Sequence, residues 1–136
     1  MTVDEVTTQD AAIRALLGRA AWVGDDGPLD DYEQVYAPNA EWRLGDDVRH
    51  GLAEIVAGAQ RSRSAGVAGP GSGIRHHATV LTVDIEGDLA RAHSYFLLVN
   101  GTGSGLEFPM FGRYEDSLQR FAGGWLITSR QVIAGT

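Results

Sequence analysis

An α+β fold, helical in its first half and strand-built in its second, follows from three features of the sequence. Apolar residues recur at helical spacing through Ala59. Near Ile74 the period changes from 3.6 to 2. Clusters such as Glu86-Gly87-Asp88 and Ala122-Gly123-Gly124 then separate long strand-like runs. Amphipathic helices and long twisted strands bury their apolar faces most simply when the sheet curls round the helices. A curled sheet leaves one apolar hollow at its open end, the natural ligand site.

Three helices are expected first. Ile13, Leu16, Leu17, Ala20 and Ala21 form one stripe, with Thr7 and Asp10 resembling a capping box. Gly24-Asp25-Asp26-Gly27 breaks this helix, and Pro28 suits the first turn of a second. Leu29, Tyr32 and Val35 share its face, and Pro38 ends it. Ala40 to Leu44 reads as a short strand that turns at Gly45-Asp46 and pairs with 47–50. The third helix carries Leu52, Ile55, Val56 and Ala59 on one face, and the glycine-rich stretch 66–73 is a loop. The later strands run 74–85, 89–100, 106–121 and 125–133, with Gly101–Gly105 as a flexible hairpin loop. Hairpins between neighbours make the sheet antiparallel. The length of 136 residues suits a single domain, residues 1–136, with its core over about 8–133.

Composition removes several classes of function. The net charge is −7 and the pI about 4.9, so nucleic acid and anionic membrane surfaces are poor partners. No apolar run approaches the roughly 20 residues of a membrane span. With no cysteine there are no disulfides or thiolate metal sites, which fits a cytoplasmic location. His, Asp and Glu show no metal-site spacing, and no glycine loop opens a helix as a phosphate site requires. A metal and an organic cofactor are both unexpected.

Strand alternation decides which residues can share the hollow. On 74–85, Ile74, His76, Ala78 and Val80 share one face, and Arg75, His77, Thr79 and Leu81 the other. On the next strand His93, Tyr95, Leu97 and Val99 lie opposite Ala92, Ser94, Phe96 and Leu98. The pattern does not fix which face is inside. His76 is the sharpest proton-transfer candidate, because imidazole titrates near neutrality. As a bland alternative it is a satisfied wall histidine. Asp25 and Asp26 stand where the first helix ends, at the lip of the hollow, and either could orient a histidine or serve as an ordinary loop acid. Asp116 with Arg113, Arg120 or Arg130 forms a possible cross-strand pair.

Taken in order, several segments resemble the SnoaL-like group of the nuclear-transport-factor-two-like superfamily. They include Tyr36-Ala37-Pro38-Asn39-Ala40-Glu41-Trp42, Ile74-Arg75-His76-His77, Gly112-Arg113-Tyr114-Glu115-Asp116 and Gly124-Trp125-Leu126-Ile127. The resemblance implies a cone-shaped α+β barrel, three helices on a strongly curved antiparallel sheet, in a homodimer or higher homo-oligomer. It also implies the company of polyketide cyclases, scytalone dehydratase, dehydrochlorinase and ketosteroid isomerase, several of which eliminate without a cofactor. By the family's pattern His76 matches the base of the dehydratase and dehydrochlorinase types. Asp25 matches the aspartate that orients it, with Asp26 as the fallback. Those dehydratases carry a tyrosine shortly before that aspartate, where this chain has Arg19-Ala20-Ala21-Trp22. Tyr95 is the expected substitute.

The leading expectation is therefore a lyase or isomerase that moves a proton through His76 and Asp25. Its substrate would be an apolar ring compound of polyketide, steroid or terpenoid class. Trp22, Trp42, Leu97, Val99, Phe108 and Met110 would line its site. A non-catalytic binding domain for a small apolar molecule is the first alternative. An epoxide hydrolase built on Asp116, Arg113 and Asp84 is the second. Apolar residues on both faces of the last strand, Leu126 and Val132 against Trp125, Ile127 and Ile133, call for a second copy on the outer side.

Overall fold

The computed structural model describes every residue except Thr102, Ser104 and Thr136, so the expected hairpin loop Gly101–Gly105 lies partly outside the described residues. Helix α1 runs Val3–Asp25. It starts earlier than the Thr7–Asp10 pattern suggests, because Thr2 and Glu5 make the reciprocal capping box instead, at 3.1 and 2.7 Å. Thr7 bonds back to the Val3 carbonyl, and Asp10 accepts from Arg14. Ile13, Leu17, Ala20 and Val23 form the buried stripe.

The expected second helix is a 3-10 helix, Leu29–Gln34, with Pro28 at its N-cap. The chain does not wait for Pro38 to leave it. Strand β1 already begins at Tyr36 and runs to Leu44. Pro38 falls where the pairing of β1 is interrupted, between Tyr36 and Glu41, so its missing N–H costs no ladder bond. Strand β2 (Asp47–His50) folds back on β1, and helix α2 (Leu52–Ser64) buries Ile55.

Four long strands follow: β3 (Ile74–Glu86), β4 (Leu89–Asn100), β5 (Glu107–Phe121) and β6 (Gly124–Ala134). The curved sheet has the order β2-β1-β6-β5-β4-β3. It is antiparallel except at one seam, where β1 lies parallel to β6. These two strands are far apart in sequence and no hairpin joins them, so they are free to pair in parallel, against the all-antiparallel expectation.

The core fills one end of the sheet. Ile13, Leu17 and Val23 of α1 meet Val35, Ile55, Leu118 and Ile127 there. Trp125 is buried too, its indole N–H donating to Gln9 at 2.7 Å. At the other end a smaller cluster of Phe96, Tyr114 and Val132 stacks with Trp42, Leu44 and Met110 packed against it. Between the helices and this second cluster the packing leaves a hollow.

Two irregularities decide which side chains face that hollow. On β3 the pairing shifts between Val80 and Thr82. His76 and Val80 are on the helix side before the shift, and Val83 and Ile85 after it. On β6 a shift near Thr128 puts Trp125, Ile127, Arg130 and Val132 on one buried face. Val132 therefore sits with Trp125 and Ile127, not opposite them as strict alternation predicts.

Candidate active site

The hollow is a cavity of about 380 Å³. Its apolar wall includes Leu17, Ala20, Trp42, Ile55, Phe96 and Met110. Its polar groups are His76, three tyrosines (Tyr32, Tyr36, Tyr114), and Arg49, Arg63 and Arg130 with Asp47 and Ser62.

His76 enters from β3 and meets Asp25 at the last turn of α1. The Asp25 carboxylate makes two contacts with it. Oδ2 accepts the backbone N–H of His76 at 2.8 Å, and Oδ1 lies 2.7 Å from Nδ1. Asp25 is buried (7% exposed), whereas the His76 side chain keeps 32% of its surface and lines the cavity. A carboxylate facing Nδ1 makes that nitrogen the N–H donor, which leaves Nε2 as the lone-pair nitrogen. Asp26 goes elsewhere. Its carboxylate reaches outward to the exposed Arg75 at 3.7 Å. Of the two acids at the helix end, Asp25 is the one that touches the histidine.

The expected oxygen donor is misplaced. Tyr95 is 57% exposed, on the outer face of β4, and does not line the cavity. Its strand turns Ala92, Ser94 and Phe96 inward, so Tyr95, Leu97 and Val99 all belong to the other side. The inner face is set by the small and aromatic residues that fit beneath α1, and alternation alone could not reveal it. Phe108 is also exposed, at 58%. Trp22 is exposed and lies over a second, shallow depression between α1 and the β5–β6 turn. Of the expected lining, Trp42 and Met110 face the cavity.

The hydroxyls come instead from Tyr32, Tyr36 and Tyr114, which the sequence reading did not select as pocket groups. Burial pushes the Tyr114 hydroxyl up to about 12 and raises Tyr32 and Tyr36 as well. All three are therefore neutral donors at ordinary pH. Tyr114 also feels the charge of Asp25. Its ring stacks on Phe96, with centroids 4.6 Å apart. A register count places Tyr114 beside Val132 and two residues from Asp116, which is the signal that could have found it.

Beneath Tyr114 lies a buried ion pair. Arg130 donates to both oxygens of Asp116, at 2.8 and 2.9 Å, and both side chains are almost fully enclosed. The guanidinium carbon sits 3.9 Å from the centre of the Tyr114 ring, and its charge is felt by Tyr36. Burial works against the Arg130 cation, but Asp116 and the tyrosines outweigh it and hold its pKa above the ordinary value. The three residues expected for epoxide hydrolysis do not assemble. Asp84 is exposed, Arg113 faces Glu115 at 3.4 Å, and Asp116 pairs with Arg130 instead. Odd and even positions on β5 face opposite ways, so Arg113 and Asp116 cannot share the pocket.

On the far wall Arg49 holds Asp47 through Nε and Nη2 and lies 4.1 Å over the Trp42 ring. Its guanidinium packs directly on Gly58, where a Cβ would collide with it. Among the described residues, no group of three or more His, Cys, Asp or Glu could hold a metal ion. Among the same residues, no helix is long and apolar enough to cross a membrane.

Helices on a curved sheet, with a cavity between them and a His–Asp pair at its edge, make an α+β fold of cone type. The chain belongs to the SnoaL-like domain family, whose model matches residues 5–131. No curated protein matches it by sequence. Its fold is shared by a Mycobacterium tuberculosis protein of unknown function (TM-score 0.80, 21% identity, 98% of this chain and 76% of that one). It is shared too by a nuclear-transport-factor-two-like protein with a cystatin-like fold from Novosphingobium aromaticivorans (TM-score 0.76, 19% identity, 94% and 82%). A candidate scytalone dehydratase from the same organism is similar as well (TM-score 0.73, 14% identity, 99% and 89%). At these identities the likeness is one of fold.

Proposed function

We propose that this protein is a cofactor-independent lyase or isomerase in which His76 is the general base and Asp25 holds it. The two-point contact of Asp25 with His76 carries this reading. It fixes the ring by its backbone and by Nδ1 together, so Nε2 is the nitrogen free to take a proton.

The reaction has a simple balance. Nε2 removes a proton from a carbon next to a carbonyl or a leaving group. The C–H electron pair becomes a new π bond. In an elimination the leaving group departs with its electrons and takes the proton from the imidazolium. In an isomerisation the proton returns to a different carbon. Asp25 stabilises the imidazolium between these steps. Tyr114, neutral and lining the same cavity as His76, is the donor for the oxygen on which negative charge develops. It takes the role first expected of Tyr95.

The cavity volume and its aliphatic and aromatic wall favour a small ring compound, of polyketide, steroid or terpenoid class. The test is incubation with a panel of cyclic hydroxyketones, enones and halides, followed by mass and isomer analysis. Product formed by the wild type and lost in His76→Ala supports the reading. Equal turnover by His76→Ala removes it. Ligand that is retained tightly and always recovered unchanged makes the protein a carrier instead.

A further inference from the structure

Asp25 occupies the end of a helix that has no basic residue in its last turn. The carbonyls of the last helical turn concentrate negative partial charge. A cation is nevertheless present, delivered from a different element. Arg63, near the end of α2, sends Nη2 to the carbonyls of Val23 at 3.0 Å, Gly24 at 3.4 Å and Gly27 at 2.8 Å. These three carbonyls bracket Asp25.

The arginine is itself clamped. A Cβ on Gly69 would fall 2.5 Å from its Cγ, and Gly69 has φ of +86°, so the loop between α2 and β3 closes over the Arg63 stem where only glycine fits. Among the described residues its Nε is buried without a hydrogen-bond partner, and the side chain lines the cavity together with Tyr32. A buried, unpaired donor costs stability, so this side chain is held where its Nη2 contacts require it. The same loop leads within a few residues to Ile74 and so to His76. One side chain thus ties together the element that carries Asp25, the turn that follows it at Gly27 and the approach to the strand that carries His76.

We infer that Arg63 is a positioning residue for the Asp25–His76 pair, a strap that sets the end of α1 so that both carboxylate oxygens reach His76. Its effect on turnover rests on the base reading above; its effect on geometry does not. A mere helix-end stabiliser would change melting temperature and leave the histidine alone. The strap changes the histidine.

The experiment is imidazole 15N–1H spectroscopy of the full chain labelled at histidine. It compares the wild type, Asp25→Asn, Arg63→Met (which keeps the stem under Gly69) and Arg63→Lys (which keeps the charge but cannot span three carbonyls). In the wild type His76 is expected as the Nδ1–H tautomer with a slowly exchanging proton. In Arg63→Met that proton should exchange at least about tenfold faster, with the tautomer moving toward the mixture of a free imidazole. Arg63→Lys should behave in the same way, and it decides the matter if Arg63→Met does not fold. A folded variant at residue 63 with wild-type exchange and tautomer overturns the strap. A wild type whose spectrum Asp25→Asn does not alter overturns the dyad itself, which is a separate result.

Discussion

Asp25 and His76 are 51 residues apart in sequence and meet through both oxygens of one carboxylate, one on the backbone N–H and one on the ring. A carboxylate that merely capped a strand would need only the first contact. The second fixes the tautomer, and His76 also lines the cavity.

If Tyr114 donates to the developing oxyanion, Tyr114→Phe should lower kcat by roughly 10²–10³, with a smaller change in KM. Tyr95→Phe, on the outer face of the sheet, should leave both unchanged. Steady-state kinetics on any substrate the panel yields would check both, and a loss in Tyr95→Phe would contradict the assigned faces.

The raised pKa of Tyr114 has a consequence for stability. The hydroxyl titrates at 10.0 ordinarily and at about 12 in the fold. Between these values the unfolded chain has lost a proton that the folded chain keeps, so stability falls as pH rises. The contribution is fully present below pH 10 and is lost as pH climbs to about 12. Denaturant melts across this window should show the decline, and Tyr114→Phe should make it shallower, with Tyr32 and Tyr36 keeping the remainder.

Asp116 neutralises a buried guanidinium. Asp116→Ala leaves Arg130 charged and enclosed, which should cost about 3–5 kcal/mol in urea titrations. Removing the exposed partner Asp88 from Arg120 should cost about 1 kcal/mol or less.

The outer face of the sheet bears Leu81, Tyr95 and Phe111, each more than 40% exposed, and Leu97 pairs across strands with Phe111. If a second copy covers this face, light scattering at micromolar concentration should give a dimeric or higher mass. Charged substitutions at Tyr95 and Phe111 together should return it to the monomer. A monomeric wild type would contradict the pairing.

The change of period at Ile74 made the order of helices and strands legible, because glycine clusters punctuate each hairpin. The His76–Asp25 pair was legible through family resemblance, since the residues lie on elements that only tertiary packing brings together. The pocket wall was largely hidden. Alternation on β4 sorts Tyr95 from Phe96 without saying which faces α1, and the shifts at Leu81 and Thr128 reverse parity midway along two strands. Arg63 was hidden for a different reason: its partners are backbone carbonyls, which leave no mark in a sequence.

The most direct test of the central claim is the rate of proton abstraction itself. Deuterium uptake from D2O at the acidic carbon of a bound substrate or cyclic ketone analogue reports that step without requiring product release. Uptake is expected with the wild type, with a fall of about 10²–10⁴ in His76→Ala and a substantial fall in Asp25→Asn with the fold retained. Wild-type uptake in a folded His76→Ala variant would show that another group is the base.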